Sequence, residues 1–347
     1  MKTKALGRTG LQSAIYSLGT MTFGTQTDED DAHRQLDMAV DAGINLIDTA
    51  ELYPVNPIKA ETCGASEVII GNWMAKTGRR DDVLIASKIS GSGAKAVRDG
   101  APISPDTITR AVDNSLKNLQ TDTIDLYQLH WPNRGSYHFR QNWTFDPTKQ
   151  DKTETLDNIH AVLGALQKQV EAGKIRHIGL SNESSWGTAQ FLRIAEENGL
   201  PRVATIQNEY NLLCRHYDLD LAELSHHEDV GLLAFSPLAT GILSGKYSGD
   251  ITPDHSRRQI NQNLGGRLTT ASLTTTDEYV ALAHKHGLDP VHMALAFCAS
   301  RPFMAAAIVG ATTSSQLDHI LKGADLELGA EVLEGIQAIY RRTPMPM

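Results

Sequence analysis

The sequence predicts a closed barrel of eight parallel β-strands surrounded by helices, a (β/α)8 barrel of the TIM type. Eight short, mostly unbroken apolar segments recur along the chain, and each is followed by a helical pattern. Unbroken apolar strands are typical of parallel sheets whose faces are covered. A chain of 347 residues has room for eight such units in one barrel. An open doubly wound sheet is the alternative, but no glycine-rich dinucleotide fingerprint opens the first unit.

The N-terminal residues precede this alternation as a small hairpin. Residues 3–20 contain the turn sequence Gly7-Arg8-Thr9-Gly10 and run into the first apolar strand near Ile15–Leu18. Thr27 then has the position of a helix N-cap, because acidic residues and an amphipathic face follow it. Gly43 ends this first helix.

The alternation continues to an eighth strand. The later strands are predicted at residues 44–47, 83–86, 124–129, 175–180, 203–206, 231–235 and 305–309. The later helices are predicted at about 64–77, 105–119, 154–172, 184–198, 216–228 and 313–323. A last amphipathic helix, at about 330–342, lies outside the pattern. We therefore expect residues 1–347 to form one barrel domain with an N-terminal hairpin and an additional C-terminal helix.

Two connections are too long to be simple loops. Residues 131–153 are rich in aromatic side chains, and residues 238–275 are polar and rich in glycine. Long loops in compact domains are usually functional lids or disordered segments. The aromatic content of the first connection favours a lid over a ligand.

Composition and charge narrow the class of protein. The chain is 41% hydrophobic and 21% charged, which is enough apolar surface for a full core. The net charge of −9 argues against a nucleic-acid partner, since phosphate backbones need a basic surface. The three cysteines are odd in number and far apart, which indicates a reducing compartment. No signal peptide and no membrane-spanning run is present, so we expect a cytoplasmic protein without a membrane partner.

Polar side chains stand at the predicted C-terminal ends of three strands, where barrels of this kind carry their chemistry. Asp48 ends the second strand and is followed by Tyr53, while Lys88 and His130 end the third and fourth. A lysine at the end of an apolar strand is costly to bury unless it meets an opposite charge. Asp48 can supply that charge. A purely structural ion pair in the barrel mouth is the alternative.

The tyrosine makes a catalytic role more probable than a structural one. A phenol has a pKa near 10, and a nearby ammonium favours the phenolate and lowers that pKa. Tyr53 can then donate a proton, and His130 can orient a carbonyl oxygen. Tyr53 would be the proton donor, and Lys88 would lower its pKa. Asp48 would be the counter-ion of Lys88, and His130 would orient the substrate. Such a set fits polarisation of a carbonyl, with the hydride supplied by another molecule.

These four residues in their strand-end contexts resemble the catalytic tetrad of the aldo-keto reductases. Motifs over nearly the whole chain share the resemblance, at residues 18–24, 173–182, 206–211 and 236–247. The likeness is closest to bacterial reductases and more distant to the β subunits of voltage-gated potassium channels. It implies an NADPH-dependent reductase of aldehydes or ketones, with Tyr53 as the proton donor and a small carbonyl compound as the substrate.

The resemblance also implies where NADP(H) binds without a Rossmann motif. The nicotinamide ribose side is expected at Thr20, Met21 and Asp48. The carboxamide is expected at Ser181, Asn182 and Gln207. An aromatic ring stacks on the nicotinamide in relatives, and Phe235 and Tyr210 are both candidates here.

The phosphates are expected at two further segments. The segment 236–246 would wrap the pyrophosphate, with contacts at Ser236, Pro237, Leu238, Gly241 and Lys246. The segment that opens the helix after the eighth strand has hydroxyls, free amides and a helix dipole for a phosphate, at Gly310, Thr312 and Gln316. Lys246 with Arg257 or Arg267 would favour the 2′-phosphate of NADP over the ribose of NAD.

The sequence departs from the family pattern at one place, and it leaves two other functions possible. Many relatives have an acid-amide pair for adenine where this chain has His319 and Ile320. One alternative function is an NADPH-sensing regulatory subunit like the channel β subunits. Another is a lyase that uses Lys88 as a Schiff-base nucleophile. The particular substrate and the oligomeric state do not follow from the sequence.

Overall fold

Eight parallel strands close into a barrel in the computed structural model, which describes all residues, Met1–Met347. The strands are β1 (Thr3–Ala5), β2 (Gln12–Ala14), β3 (Tyr16–Gly19), β4 (Leu46–Asp48), β5 (Leu84–Ile89), β6 (Ile124–Leu129), β7 (Ile175–Ser181), β8 (Val203–Glu209), β9 (Gly231–Phe235) and β10 (Met304–Val309). β3 to β10 form the barrel in chain order, and β10 closes it by pairing with β3. The predicted fold class is confirmed.

Ten helices accompany these strands. They are α1 (Glu29–Asp41), α2 (Ala65–Thr77), α3 (Pro105–Leu119), α4 (Lys152–Glu171), α5 (Ser185–Asn198), α6 (Asp220–Glu228), α7 (Thr270–Lys285), α8 (Pro290–Ala299), α9 (Ser314–Leu321) and α10 (Ala330–Arg342). No helix is apolar over enough of its length to cross a membrane.

Most predicted boundaries lie within a few residues of these. The N-cap of α1 is Asp28 and not Thr27, because the Asp28 carboxylate accepts the amide N–H of Asp31. Thr27 instead donates its hydroxyl to the carbonyl of Thr312 at 3.1 Å. The two candidate caps are adjacent in the sequence, and they differ because Asp28 binds its own helix while Thr27 binds a distant segment.

Two helices, α7 and α8, were not predicted. The second long connection ends at Thr269, the N-cap of α7, so the predicted loop 238–275 is wrong over its last six residues. Four threonines inside α7 weaken its helical signal, since β-branched residues lose side-chain freedom in helices. α8 is apolar nearly all round and shows no amphipathic stripe. In the sequence, the start of α8 is indicated only by its N-cap Asp289 and the following Pro290.

The barrel interior changes from apolar to polar along each strand. Leu46, Ala86 and Leu126 belong to one buried cluster inside the barrel. Two residues further along the same strands come Asp48, Lys88 and Gln128. Because side chains alternate across a strand with a period of two, each polar residue points to the same side as the apolar one before it. The polar layer therefore lies directly above an apolar floor, toward the C-terminal ends of the strands.

The N-terminal hairpin closes the opposite end of the barrel. β1 and β2 pair antiparallel, with Thr3 opposite Ala14, as the sequence predicts. Leu6, in the turn between them, is buried and belongs to the same interior cluster as Leu46. Gly7 adopts a φ of +55° and lies against the carbonyl of Ala204, where a Cβ atom would clash. The turn thus inserts one apolar side chain into the floor of the barrel.

Candidate active site

The centre of the polar layer is Lys88, which has no exposed surface. Its Nζ donates to Asp48 Oδ2 at 2.7 Å and to the carbonyl oxygen of Thr49 at 2.6 Å. The same nitrogen lies 3.5 Å from the hydroxyl of Tyr53 and 4.8 Å from the centre of its ring. Burial alone lowers the pKa of Lys88, but the Asp48 carboxylate and the Tyr53 hydroxyl together raise it by more, so the pKa is raised overall. Lys88 is therefore an ammonium at neutral pH.

Two amides hold the second oxygen of Asp48. Gln207 donates from Nε2 to Asp48 Oδ1 at 2.7 Å, and Gln128 donates to the same oxygen at 3.3 Å. Gln207 also donates to Gln128 Oε1 at 3.1 Å. Each carboxylate oxygen thus has a donor, so the buried charge is satisfied and the position of Lys88 is restrained. Gln128 was not singled out in the sequence, although it lies two residues before His130 on the same strand.

The net shift of the Tyr53 phenol is opposite to the predicted direction. Burial raises its pKa more than the Lys88 ammonium lowers it, so the pKa is raised overall. The predicted effect of Lys88 is present but smaller than desolvation. Tyr53 consequently keeps its proton at neutral pH, which is the state that a proton donor needs. The nearby ammonium still stabilises a phenolate as it forms.

His130 lies beside Tyr53, with ring centres 5.8 Å apart in an edge-to-face arrangement. Burial and the charge of Lys88 hold the pKa of His130 well below its usual value, so the imidazole is neutral. Its Nδ1 is buried and has no hydrogen-bond partner within the protein. The ring of Trp131, from the first long connection, lies 4.9 Å away. A neutral imidazole with a free nitrogen can hydrogen-bond a small polar group held in this space.

A second group of side chains lies at the ends of β7 and β8. Asn182 adopts a left-handed φ of 53°, and its Nδ2 donates to the carbonyl oxygen of His130 at 2.9 Å. Its Oδ1 is buried without a partner. Ser181 donates its hydroxyl to the carbonyl of Gln207 at 2.8 Å. The Asn182 oxygen is therefore free to accept a hydrogen bond from a group outside the protein.

The two aromatic candidates have different surroundings. Tyr210 is fully buried between Phe297 and Phe303, and its hydroxyl donates to Asp218 at 2.7 Å. Phe235 follows Leu233 by two residues on β9, so it points into the barrel above the apolar floor. It is only half-buried.

Thr20 and Met21 follow β3 at the same end of the barrel. The Thr20 hydroxyl donates to the main-chain oxygen of Asp48 at 2.9 Å, and the Thr20 amide donates to it at 3.1 Å. Met21 is half-buried, and its carbonyl accepts the amide N–H of Val55. Both residues are thus attached to the loop that carries Tyr53.

Two cations on the second long connection have no carboxylate partner. Lys246 and Arg257 form no ion pair, and the Arg257 Nε atom is buried without a hydrogen bond. Burial and the charge of Arg267 lower the pKa of Arg257 to about 10, and burial and Arg257 lower the pKa of Lys246. Lys246 is exposed and Arg257 is half-buried, so an anion bound beside Arg257 would supply the counter-ion that it lacks. Ahead of them, Ala239, Thr240 and Gly241 have φ of 48°, 58° and 93°. The amides of Ala239 and Gly241 donate within this turn, to the carbonyl oxygens of Ser236 and Leu238.

Arg267, the other predicted phosphate ligand, is already paired. It donates from Nε and Nη2 to the two carboxylate oxygens of Glu209, at 2.7 and 2.9 Å. Arg140, from the first long connection, donates to Glu209 at 2.6 Å as well. Sequence reasoning missed Glu209, although it follows Gln207 by two residues on β8.

The start of α9 is partly occupied by an acid. Asp31, on α1, accepts the amide N–H of Ser314 at 3.0 Å and its hydroxyl at 2.6 Å. The Gln316 amide donates to the hydroxyl of the N-cap Thr313 at 3.3 Å, so fewer free amides remain at this helix start than expected. Thr312 donates its amide and hydroxyl to Gln316 Oε1, at 3.0 and 3.1 Å, and Gly310 precedes them without a side chain.

The two residues that depart from the family pattern are also engaged. His319 lies 3.2 Å from the carboxylate of Asp289, and Ile320 is buried. Neither residue presents the acid-amide pair that is common at these positions in relatives.

Comparison with known proteins identifies the class that the barrel and its polar layer define. The model of the aldo/keto reductase family matches residues 17–341. The chain therefore belongs to the aldo/keto reductase family, and this membership supports oxidoreductase activity. The family generally uses NAD(P)H and acts on small carbonyl compounds.

Particular relatives cover almost the full chain. It is 43% identical to Protein tas of Escherichia coli over 98% of both chains. It is 31% identical to the uncharacterized oxidoreductase YrpG of Bacillus subtilis, over 98% of this chain and 96% of the relative. A probable voltage-gated potassium channel subunit beta of rice is 30% identical, over 99% and 98%. The predicted family, with bacterial proteins nearer than channel subunits, is confirmed.

Proposed function

We propose that the chain reduces aldehydes or ketones to alcohols with NADPH. The observation that carries the proposal is the Lys88 ammonium, fixed between the Asp48 carboxylate and the Tyr53 hydroxyl. An ammonium held in this place stabilises the phenolate that forms when Tyr53 donates its proton. The charge is already oriented before reaction, so little reorganisation is needed.

The residues around this centre fit a nicotinamide nucleotide. The buried Asn182 Oδ1 lacks a donor, and a carboxamide N–H₂ group offers one. Lys246 and the buried Arg257 Nε lack an anion, and phosphate groups offer several. We assign the carboxamide to Ser181, Asn182 and Gln207, the ribose side to Thr20, Met21 and Asp48, and the ring stack to Phe235. The last assignment follows from the burial of Tyr210 in the core.

We assign the phosphates to the segment after β9, where Lys246 and Arg257 have no carboxylate partner, and to the segment before α9. The pyrophosphate is assigned to Ser236, Pro237, Leu238, Gly241 and Lys246, because the Lys246 ammonium supplies an opposite charge for it. A further phosphate contact is assigned to Gly310, Thr312 and Gln316. Arg257, and not Arg267, is the proposed ligand of the 2′-phosphate, because Arg267 already neutralises Glu209.

The residues of the chain have different roles in the proposed reduction. NADPH, when bound, supplies the hydride. Tyr53 donates its proton to the carbonyl oxygen, and Lys88 stabilises the developing phenolate. His130, neutral at working pH, donates a hydrogen bond that orients the same oxygen. Trp131 excludes water on the substrate side, since its ring packs against His130.

The lyase alternative is disfavoured by the state of Lys88. A Schiff-base nucleophile must be a neutral amine. Lys88 has a raised pKa, so its amine is protonated and has no free lone pair. Its N–H groups point at three oxygen neighbours.

The test is a panel of aldehydes and ketones in which oxidation of NADPH is followed by absorbance, repeated with NADH. We expect turnover of at least one carbonyl class and a preference for NADPH. Tight NADPH binding without oxidation by any carbonyl would contradict the reductase and favour the sensing subunit. Equal use of NADH would contradict the assignment of Arg257.

A further inference from the structure

Both long connections are tied to one buried carboxylate, Glu209, at the end of β8. Arg140 belongs to the connection 131–153, and Arg267 belongs to the connection 238–269. The side chain of Glu209 is 3% exposed, and those of Arg140 and Arg267 are 12% and 11% exposed. No other carboxylate pairs with either arginine. One acid thus anchors two segments that are distant in sequence.

The three residues form a chain of charges at the barrel mouth. Arg267 makes a two-pronged pair with Glu209, the geometry that gives arginine-carboxylate pairs their strength and direction. Arg267 also donates to the carbonyl oxygen of Leu264 at 3.1 Å, which fixes the backbone of its own loop. Arg140 approaches from the other side at 2.6 Å. Glu209 follows Gln207, a donor to Asp48, by two residues on the same strand.

The loops that Glu209 ties carry different parts of the proposed site. The connection after β9 bears Lys246 and Arg257, the proposed phosphate ligands. The connection after β6 begins with Trp131, which packs on His130, and includes Phe139, whose ring meets Trp131 at 6.1 Å. The charge of Arg267 is near enough to lower the pKa of Arg257. Arg267, which pairs with Glu209, therefore interacts electrostatically with Arg257, the proposed phosphate ligand.

We propose that Glu209 is a positioning residue that holds the nucleotide-side loop and the substrate-side loop together over the barrel mouth. The proposal rests on the proposed function for what the loops contact, and on the ion pairs alone for the anchoring itself. Glu209 touches no reacting atom. It acts through Arg267 to place Arg257, and through Arg140 to place the aromatic loop.

The test replaces Glu209 with Gln in the full chain. Glu209→Gln keeps the size of the side chain and removes its charge, so two buried arginines lose their counter-ion. We expect NADPH to dissociate at least tenfold faster by stopped-flow, with a smaller change for NADH, because Arg257 is displaced. We also expect the variant without nucleotide to be cleaved by protease within 131–153 and 238–269 faster than the parent protein. The cleavage readout does not depend on the proposed function.

Two further variants separate anchoring from a general loss of stability. Glu209→Asp keeps the charge and is expected to restore much of the difference between NADPH and NADH. Asp250→Asn removes an exposed pair, Asp250 with Arg258, from the same loop and is expected to change neither readout. A Glu209→Gln protein with a lower melting temperature but unchanged cleavage and unchanged NADPH release would overturn the proposal.

Discussion

At the scale of single residues, the candidate site depends on the protonation states that burial imposes. Tyr53 is protonated because burial outweighs the effect of Lys88, and His130 is neutral because burial and Lys88 act in the same direction. Lys88 stays charged because Asp48 and Tyr53 together outweigh its burial. Each state is the one that carbonyl reduction requires.

Replacing Tyr53 with Phe removes the proton donor and leaves the ring in place. We expect turnover in carbonyl reduction to fall by about 10²–10⁴-fold, the usual contribution of a general acid. NADPH affinity, measured by fluorescence titration, should change little because no proposed nucleotide contact is lost. Turnover within about threefold of the parent protein would rule out Tyr53 as the donor, since that loss is far below the contribution of a general acid.

The pH dependence of kcat/KM should lack a histidine step. The pKa of His130 lies well below its usual value, and that of Tyr53 is raised. The ordinary pKa values of histidine and tyrosine are near 6.5 and 10. His130 should therefore stay neutral and Tyr53 should stay protonated between about pH 6 and 8. Reduction should decline only in alkali, as Tyr53 loses its proton. A break near pH 6.5 that disappears in His130→Gln would show that the imidazole titrates in the normal range.

Arg257 should select for the 2′-phosphate. Arg257→Ala removes a charged hydrogen-bond donor, an interaction worth about 1.5–3 kcal/mol, so NADPH affinity should fall by about 10–150-fold. NADH affinity should fall much less. The neighbouring Arg258→Ala is the matched control, because Arg258 is paired with Asp250. Equal losses for both nucleotides, measured by titration, would place Arg257 elsewhere in the site.

At the scale of elements, the sequence predicted those with a clear apolar period and missed those without one. α3 and α10 have the predicted boundaries because amphipathic faces define them. α7 and α8 were missed because one is rich in threonine and the other is apolar on all sides. Local propensity competes with tertiary packing in both helices, and packing decides.

The start of α7 offers a stability test. The Thr269 hydroxyl accepts the Ser272 amide in a capping box and donates to the carbonyl of Pro346 at 2.6 Å. Thr269→Ala should lower the free energy of unfolding by about 1–2 kcal/mol, the usual loss for a cap. Thr274→Ala, exposed in the same helix, should be neutral or slightly stabilising because alanine is the better helix former. Equal effects in urea denaturation would show that the cap does not contribute.

At the scale of the whole molecule, the barrel separates stability from chemistry. The polar layer lies at the C-terminal ends of the strands, and the hairpin seals the other end with Leu6. The residues that stabilise the floor of the barrel are therefore different from those that form the candidate site. Changes at the floor should alter the stability of the fold without altering the reaction.

Leu6→Ala tests this separation. Truncating a buried leucine leaves a cavity and costs about 2–5 kcal/mol, so the melting temperature should fall by several degrees. Gln12→Ala, on β2 of the same hairpin, exchanges an exposed side chain and should have little effect. The KM and kcat of Leu6→Ala should match the parent below its melting transition. A changed KM would show that the floor and the mouth are coupled.

The sequence by itself determined the barrel, its eight strands in order and the four polar residues at the strand ends. It could do so because strand-helix alternation is local, and because the C-terminal ends of parallel strands must meet. The tertiary structure alone decided which side chains neutralise one another. Arg267 and Arg257 look equivalent in sequence, and only folding brings Glu209 to the first and leaves the second free. The net pKa shift of Tyr53 was likewise decided by burial, which depends on the packing of residues distant in sequence.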